Sequence, residues 1–108
     1  MTNDRIISVS DALIYLASTD EEMGRLRGYV AGLEYNIKVI ESIQYLDASG
    51  TVGERQAKAR ASQAYRDAVK LYQDARIDME TIAAKRQTRV HTIDVWRSQN
   101  ANRRQGQI

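Results

Sequence analysis

The sequence predicts an all-α chain: a long antiparallel helical hairpin, coiled-coil-like in its packing, that assembles with further copies of itself into a helical bundle. Three observations carry this. Residues 51–99 contain no proline, and their one glycine, Gly53, falls in the first turn, so nothing inside that stretch would break a helix. Residues 9–40 repeat apolar side chains at heptad spacing. Between the two, Gly50-Thr51-Val52-Gly53-Glu54 joins a helix stop to a capping-box start. The whole 108-residue chain is read as one helical-hairpin domain.

In chain order, residues 1–7 are held only through Ile6 and Ile7, and Ser8-Val9-Ser10-Asp11 then opens a helix with a capping serine and an early acid. A second start signal stands at Thr19-Asp20-Glu21-Glu22. Residues 8–17 are therefore either a short separate helix or an extension of a helix over 19–47. Along it, Val9, Leu16, Met23, Val30 and Ile37 form one heptad row, and Ala12, Leu26, Leu33 and Ile40 the other, interrupted by Thr19.

Residues 48–51 make the turn, with Gly50 as the left-handed residue, and 52–99 the long helix, about 70 Å if unbroken at 1.5 Å per residue. Its facing stripe is read as Ala57, Ala61, Ala64, Ala68, Leu71, Ala75, Met79, Ile82, Val90 and Ile93, with 100–108 as a basic tail. Folding about Gly50 sets Leu33 near Ala68, Arg89 beside Leu13, and Trp96 beside Ile6 and Ile7. Two helices alone bury little apolar surface against their ordering entropy. The partner expected first is the chain itself, as a dimer or higher homo-oligomer.

Composition narrows the chemistry. No cysteine is present, which removes thiolate metal sites and disulfides, and the aromatics are six tyrosines and one tryptophan, each with a polar handle suited to interfaces. No stretch approaches the ~20 apolar residues of a membrane span, so the expectation is a soluble cytoplasmic protein with no membrane partner. His91 is the only histidine and the carboxylates are dispersed, so no catalytic residue, metal or cofactor is expected, and the chain is read as a binder, not an enzyme. Gly24, Gly28 and Gly32 recur every four residues. No strand precedes them and no Lys-Ser/Thr follows, so they read as a packing ridge against a neighbouring helix and not as a phosphate loop.

Charge is uneven along the chain. Residues 85–104 carry six cations, Lys85, Arg86, Arg89, Arg97, Arg103 and Arg104, against the single acid Asp94, while the first 84 residues are net acidic. Here Trp96 offers a face for stacking a base, Gln99, Asn100 and Asn102 supply amide donors and acceptors, of which Asn100 and Asn102 read its edge, and Arg97, Arg103 and Arg104 offer guanidinium forks for phosphate, with Arg89 and His91 near by. Few cations and one indole suit a small nucleotide better than a polymer. Single-stranded nucleic acid is the alternative if an oligomer gathers several such ends. A third reading of the same residues is structural: the indole seals the end of the seam, and the chain is a coiled coil that holds or inhibits another protein.

The run Ala48-Ser49-Gly50-Thr51-Val52-Gly53-Glu54-Arg55, the Ser62-Gln63-Ala64-Tyr65-Arg66 region, and Val95-Trp96-Arg97-Ser98 through Asn102-Arg103-Arg104 resemble a group of small uncharacterised tailed-bacteriophage proteins. These share a leading helix, an Ala-Ser-Gly-Thr-Val type turn, a long charged helix and a Trp-Arg-Ser/Thr…Asn-Arg-Arg ending. The resemblance covers about residues 19–104. It implies a viral, non-enzymatic accessory protein made in the cytoplasm of the infected bacterial host, serving recombination or anti-defence. It transfers no binding residue.

Overall fold

A computed structural model describes residues 7–106, which are helical apart from the chain start, the turn at 48–51 and Ser62. Among them stand three helices: α1 (Val9–Asp47), α2 (Val52–Ala61) and α3 (Gln63–Gly106). Ser8 caps α1, accepting from Asp11 N at its Oγ (3.0 Å) and from Ala12 N at its carbonyl (2.9 Å). No second start occurs at Thr19. Its hydroxyl donates back to the Tyr15 carbonyl at 2.8 Å, and α1 runs through, so residues 8–17 extend the first helix from Val9.

The turn follows the sequence reading. Gly50 holds φ 118°, Thr51 Oγ1 accepts from Glu54 N (3.2 Å), and Thr51 N donates to Glu54 Oε1 (3.0 Å), closing the capping box. The Thr51 backbone N–H foremost, and then the Thr51 hydroxyl, hold the Glu54 carboxyl below its usual range. A Cβ at Gly50 would stand 3.2 Å from Glu54 Cβ in addition to the left-handed strain. Gly50→Ala is expected to cost about 1–2 kcal/mol in denaturant unfolding, with the m-value unchanged.

The expected unbroken helix over 52–99 is corrected at Ser62, which adopts an extended ψ of 151°. Its Oγ donates to the Ala59 carbonyl (2.6 Å) and accepts from Tyr65 N (3.2 Å), so one side chain ends α2 and caps α3. A second correction lies at the other end. Residues 100–106, expected as a tail, are the last turns of α3; Gln107 and Ile108 lie outside the described residues.

The chain packs as two units. In the unit Gly24–Glu80, α1 runs antiparallel to α2 and α3: Arg55 stacks over Tyr45 (4.3 Å), Arg60 Nε donates to Glu41 Oε2 (2.6 Å) and Tyr72 Oη to Glu34 Oε2 (3.2 Å), partners receding as the chain advances. The buried apolar residues here are Val30 on α1, Ala59 on α2, and Ala68 and Ala75 on α3. Alanines opposite larger side chains permit close helix approach. In the unit built from residues up to Met23 and from Thr81 onward, Ala12, Thr19 and Met23 are buried, and Arg86 and Arg89 reach across to α1.

Both α1 heptad rows are the ones that face inward, Thr19 included at 9% exposure. The α3 stripe needs correction. Ala57, Ala61, Leu71 and Val90 are exposed, while Ala59 is buried and Tyr65, Tyr72, Arg86 and Arg89 are half-buried. The break at Ser62 resets the phase, after which Tyr65, Tyr72, Met79, Arg86 and Ile93 keep strict sevenfold spacing.

Gly24, Gly28 and Gly32 are also corrected within the chain: a Cβ at any of them would meet nothing within 4 Å, so no helix of the same chain approaches. Among the described residues no helix is long and apolar enough to cross a membrane.

Candidate functional site

The candidate site lies where the start of α1 meets the last third of α3. Ile7, Ser8 and Val9 face Thr88, His91, Thr92, Val95, Trp96 and Gln99 across an open groove of about 560 Å³, within the size range of small-molecule sites. The register expected from the Gly50 fold had placed Trp96 beside Ile6 and Ile7. Ile7 shares the groove with Trp96; Ile6 lies outside the described residues.

Each wall offers distinct chemistry. Trp96 keeps 49% of its surface exposed, so an indole face is available for stacking. Helix geometry leaves the first-turn amides of Val9 and Ser10 without intrahelical acceptors, at the positive end of the α1 dipole. Thr88 and Thr92 donate their hydroxyl protons to the carbonyls of Ala84 (3.1 Å) and Thr88 (3.0 Å), so towards a ligand they present oxygen lone pairs. His91 is exposed on the same wall, and Gln99 supplies a side-chain amide.

The sequence-predicted residues divide by helical phase. At about 100° per residue, Asn102 and Arg103 continue the wall begun by Val95, Trp96 and Gln99, one turn further on. Arg97 and Arg104 fall on the opposite flank of α3, exposed to solvent. Asn100 donates its side-chain amide to the Trp96 carbonyl at 2.8 Å, which spends that donor within the helix and leaves its oxygen free.

Arg89 does not reach the groove. Its guanidinium lies 4.3 Å over the Tyr15 ring and Nη1 donates to the Lys85 carbonyl at 3.2 Å, while Nε is buried with no partner. Its expected neighbour Leu13 is exposed instead. Arg89 therefore belongs to the α1–α3 seam, held by a cation–π contact.

Ser8, Val9 and Thr88 were missed as site residues by the sequence reading, whereas Gln99 was among the amides it named and lines the groove. Thr88 had a usable signal, because it sits eight residues before Trp96, beside its helical face. Among the described residues no group of three or more His, Cys, Asp or Glu side chains could hold a metal ion. Comparison with protein-family models, with curated proteins and with solved structures finds no match to this chain.

Proposed function

We propose that this chain is a non-enzymatic binding protein whose groove at the start of α1 takes a small phosphate-bearing ligand, most concretely a nucleotide. The observation that carries the reading is the half-exposed Trp96 indole lining an open groove shared with Ile7, Ser8 and Val9 at the start of α1. In this arrangement the base stacks on Trp96, Gln99 and Asn102 read its edge, and phosphate meets Arg103 and the α1 amides. Arg97 and Arg104 add positive potential from the far flank and His91 stands on the near wall. The resemblance to small tailed-bacteriophage proteins gives the reading its biological form: sequestration of a nucleotide immune signal of the infected host.

Native mass spectrometry of the purified chain, followed by calorimetric titration with mono- and dinucleotides, tests this. A saturable complex with affinity independent of added flanking nucleotides supports it. Affinity that climbs with oligonucleotide length and collapses with salt would move the assignment to single-stranded nucleic acid. Absence of heat with any nucleotide, together with a stoichiometric protein partner in pull-down, would replace it with a coiled coil acting on another protein.

A further inference from the structure

We infer that the outer face of α1 in the Gly24–Glu80 unit docks a second copy of this chain, antiparallel about a two-fold axis. This face is separate from the groove, and the inference does not rest on the nucleotide reading. Turned away from α2 and α3, α1 carries a second stripe, Gly28, Gly32, Tyr35, Val39, Ser42 and Leu46, at alternating steps of four and three residues. Such spacing is that of a helix built to lie along another helix. Tyr35 and Leu46 are 70% and 72% exposed, so within one chain the bulky members of the stripe are in water.

The surface involved is large enough to matter. The chain exposes 8132 Å² at 12.3 kDa, whereas a compact folded protein of that mass exposes about 6,100 Å². That excess, about 2,000 Å², belongs to the chain as a whole and exceeds the ~800 Å² that each partner loses in a standard interface. The interior points the same way: among the described residues no large side chain is fully buried.

The composition of the stripe selects the occupant. Its N-terminal part is glycine and its middle is bulky, so Gly28, Gly32, Tyr35 and Val39 are complementary to the same four residues reversed. An isologous antiparallel pair sets Tyr35 of one copy over Gly32 of the other, and Val39 over Gly28. In that register Lys38 passes alongside Tyr29 of the second copy and avoids its own symmetry mate. The glycines have no role inside the chain, since a Cβ at Gly28 or Gly32 meets nothing within 4 Å. Each nevertheless costs the helix about 1 kcal/mol relative to alanine. Close approach of the second α1 explains their presence in mid-helix.

The test uses Gly32→Leu, which improves helix propensity within the chain and blocks the proposed contact. Sedimentation at micromolar concentration is expected to give a mass for Gly32→Leu half that of the wild type, with unchanged helicity by circular dichroism. The chain has no cysteine, so mixing Gly32→Cys chains with Tyr35→Cys chains under mild oxidation reads the register directly. A disulfide-linked heterodimer is expected, and it keeps the test decisive should Gly32→Leu fold poorly. A wild type that sediments at 12.3 kDa, a Gly32→Leu variant of undiminished mass, or a mixture that forms no cross-link would overturn the inference.

Discussion

Trp96→Ala is expected to weaken nucleotide binding about 10- to 100-fold, the range that loss of one base–aromatic stack commands. Helicity and mass should stay as in the wild type. The indole is half-exposed, so its removal opens no interior void and exposes no buried polar group. Trp96→Phe keeps a stacking face and should recover most of the affinity. That rescue separates stacking from a merely structural contact at the end of the seam. Isothermal titration of the three proteins decides it: affinities within twofold of one another would remove Trp96 from the site, and with it the reading of the groove.

The largest expected effect on stability belongs to Arg86. Its Nη1 donates to the Leu16 carbonyl (2.9 Å) and to Thr19 Oγ1 (2.6 Å), and Nη2 donates to Asp20 Oδ1 (2.6 Å). Three acceptors on one turn of α1 thus converge on a single guanidinium contributed from α3. Arg86→Ala removes the donor and leaves the Thr19 oxygen in the seam without it, at a cost of about 2–3 kcal/mol. For a chain of this size that is a fall in Tm of roughly 10 °C, to be measured at fixed protein concentration because association contributes to apparent stability.

Thr19→Val should cost less, about 1–2 kcal/mol, since the Leu16 and Asp20 bonds survive. The double variant Arg86→Met with Thr19→Val replaces the layer by apolar groups and should fall well short of the sum of the single changes. Additive effects in that cycle would mean that Arg86 and Thr19 do not act together.

The α1 half of the fold was legible because its seam is written in apolar side chains, and hydropathy at sevenfold spacing needs no knowledge of the partner. The α3 half was not, for the same reason reversed. Its seam includes Tyr65, Tyr72, Arg86 and Arg89, which hydropathy assigns to the outside. Arg86 and Arg89 face inward because α1 supplies Thr19, Asp20 and the Tyr15 ring, dozens of residues away, while Tyr72 reaches Glu34. Thr19, which looked like an interruption or a capping residue, is one of those partners.

The break at Ser62 was hidden by the alanine-rich helix around it. A serine hydroxyl can bond back along a helix or cap a new one, and the sequence alone does not choose. The last turns of α3 looked like a tail because asparagine and glycine are poor helix formers. Their helical order gives Asn102 and Arg103 a definite direction, along the groove wall, and sends Arg97 and Arg104 to the other flank. Of the site, the Trp96 cluster was visible as unexplained chemistry. The contribution of Ser8 and Val9 depended on antiparallel register, which the Gly50 turn foretold only to within a few residues.

The Arg86 layer also settles an ambiguity built into any pair of heptad helices. Greasy rows repeating every seven residues can slide past one another by a whole repeat and still match, because one leucine or alanine layer resembles the next. A guanidinium bonded to the Leu16 carbonyl, Thr19 Oγ1 and Asp20 Oδ1 opposes that slippage, since a shift by one repeat puts Ala12 or Leu26 in place of Thr19 and Leu13 or Arg27 in place of Asp20. This polar lock thereby fixes which residues at the start of α1 meet Trp96, and a groove is assembled from two stretches of the chain that are almost ninety residues apart.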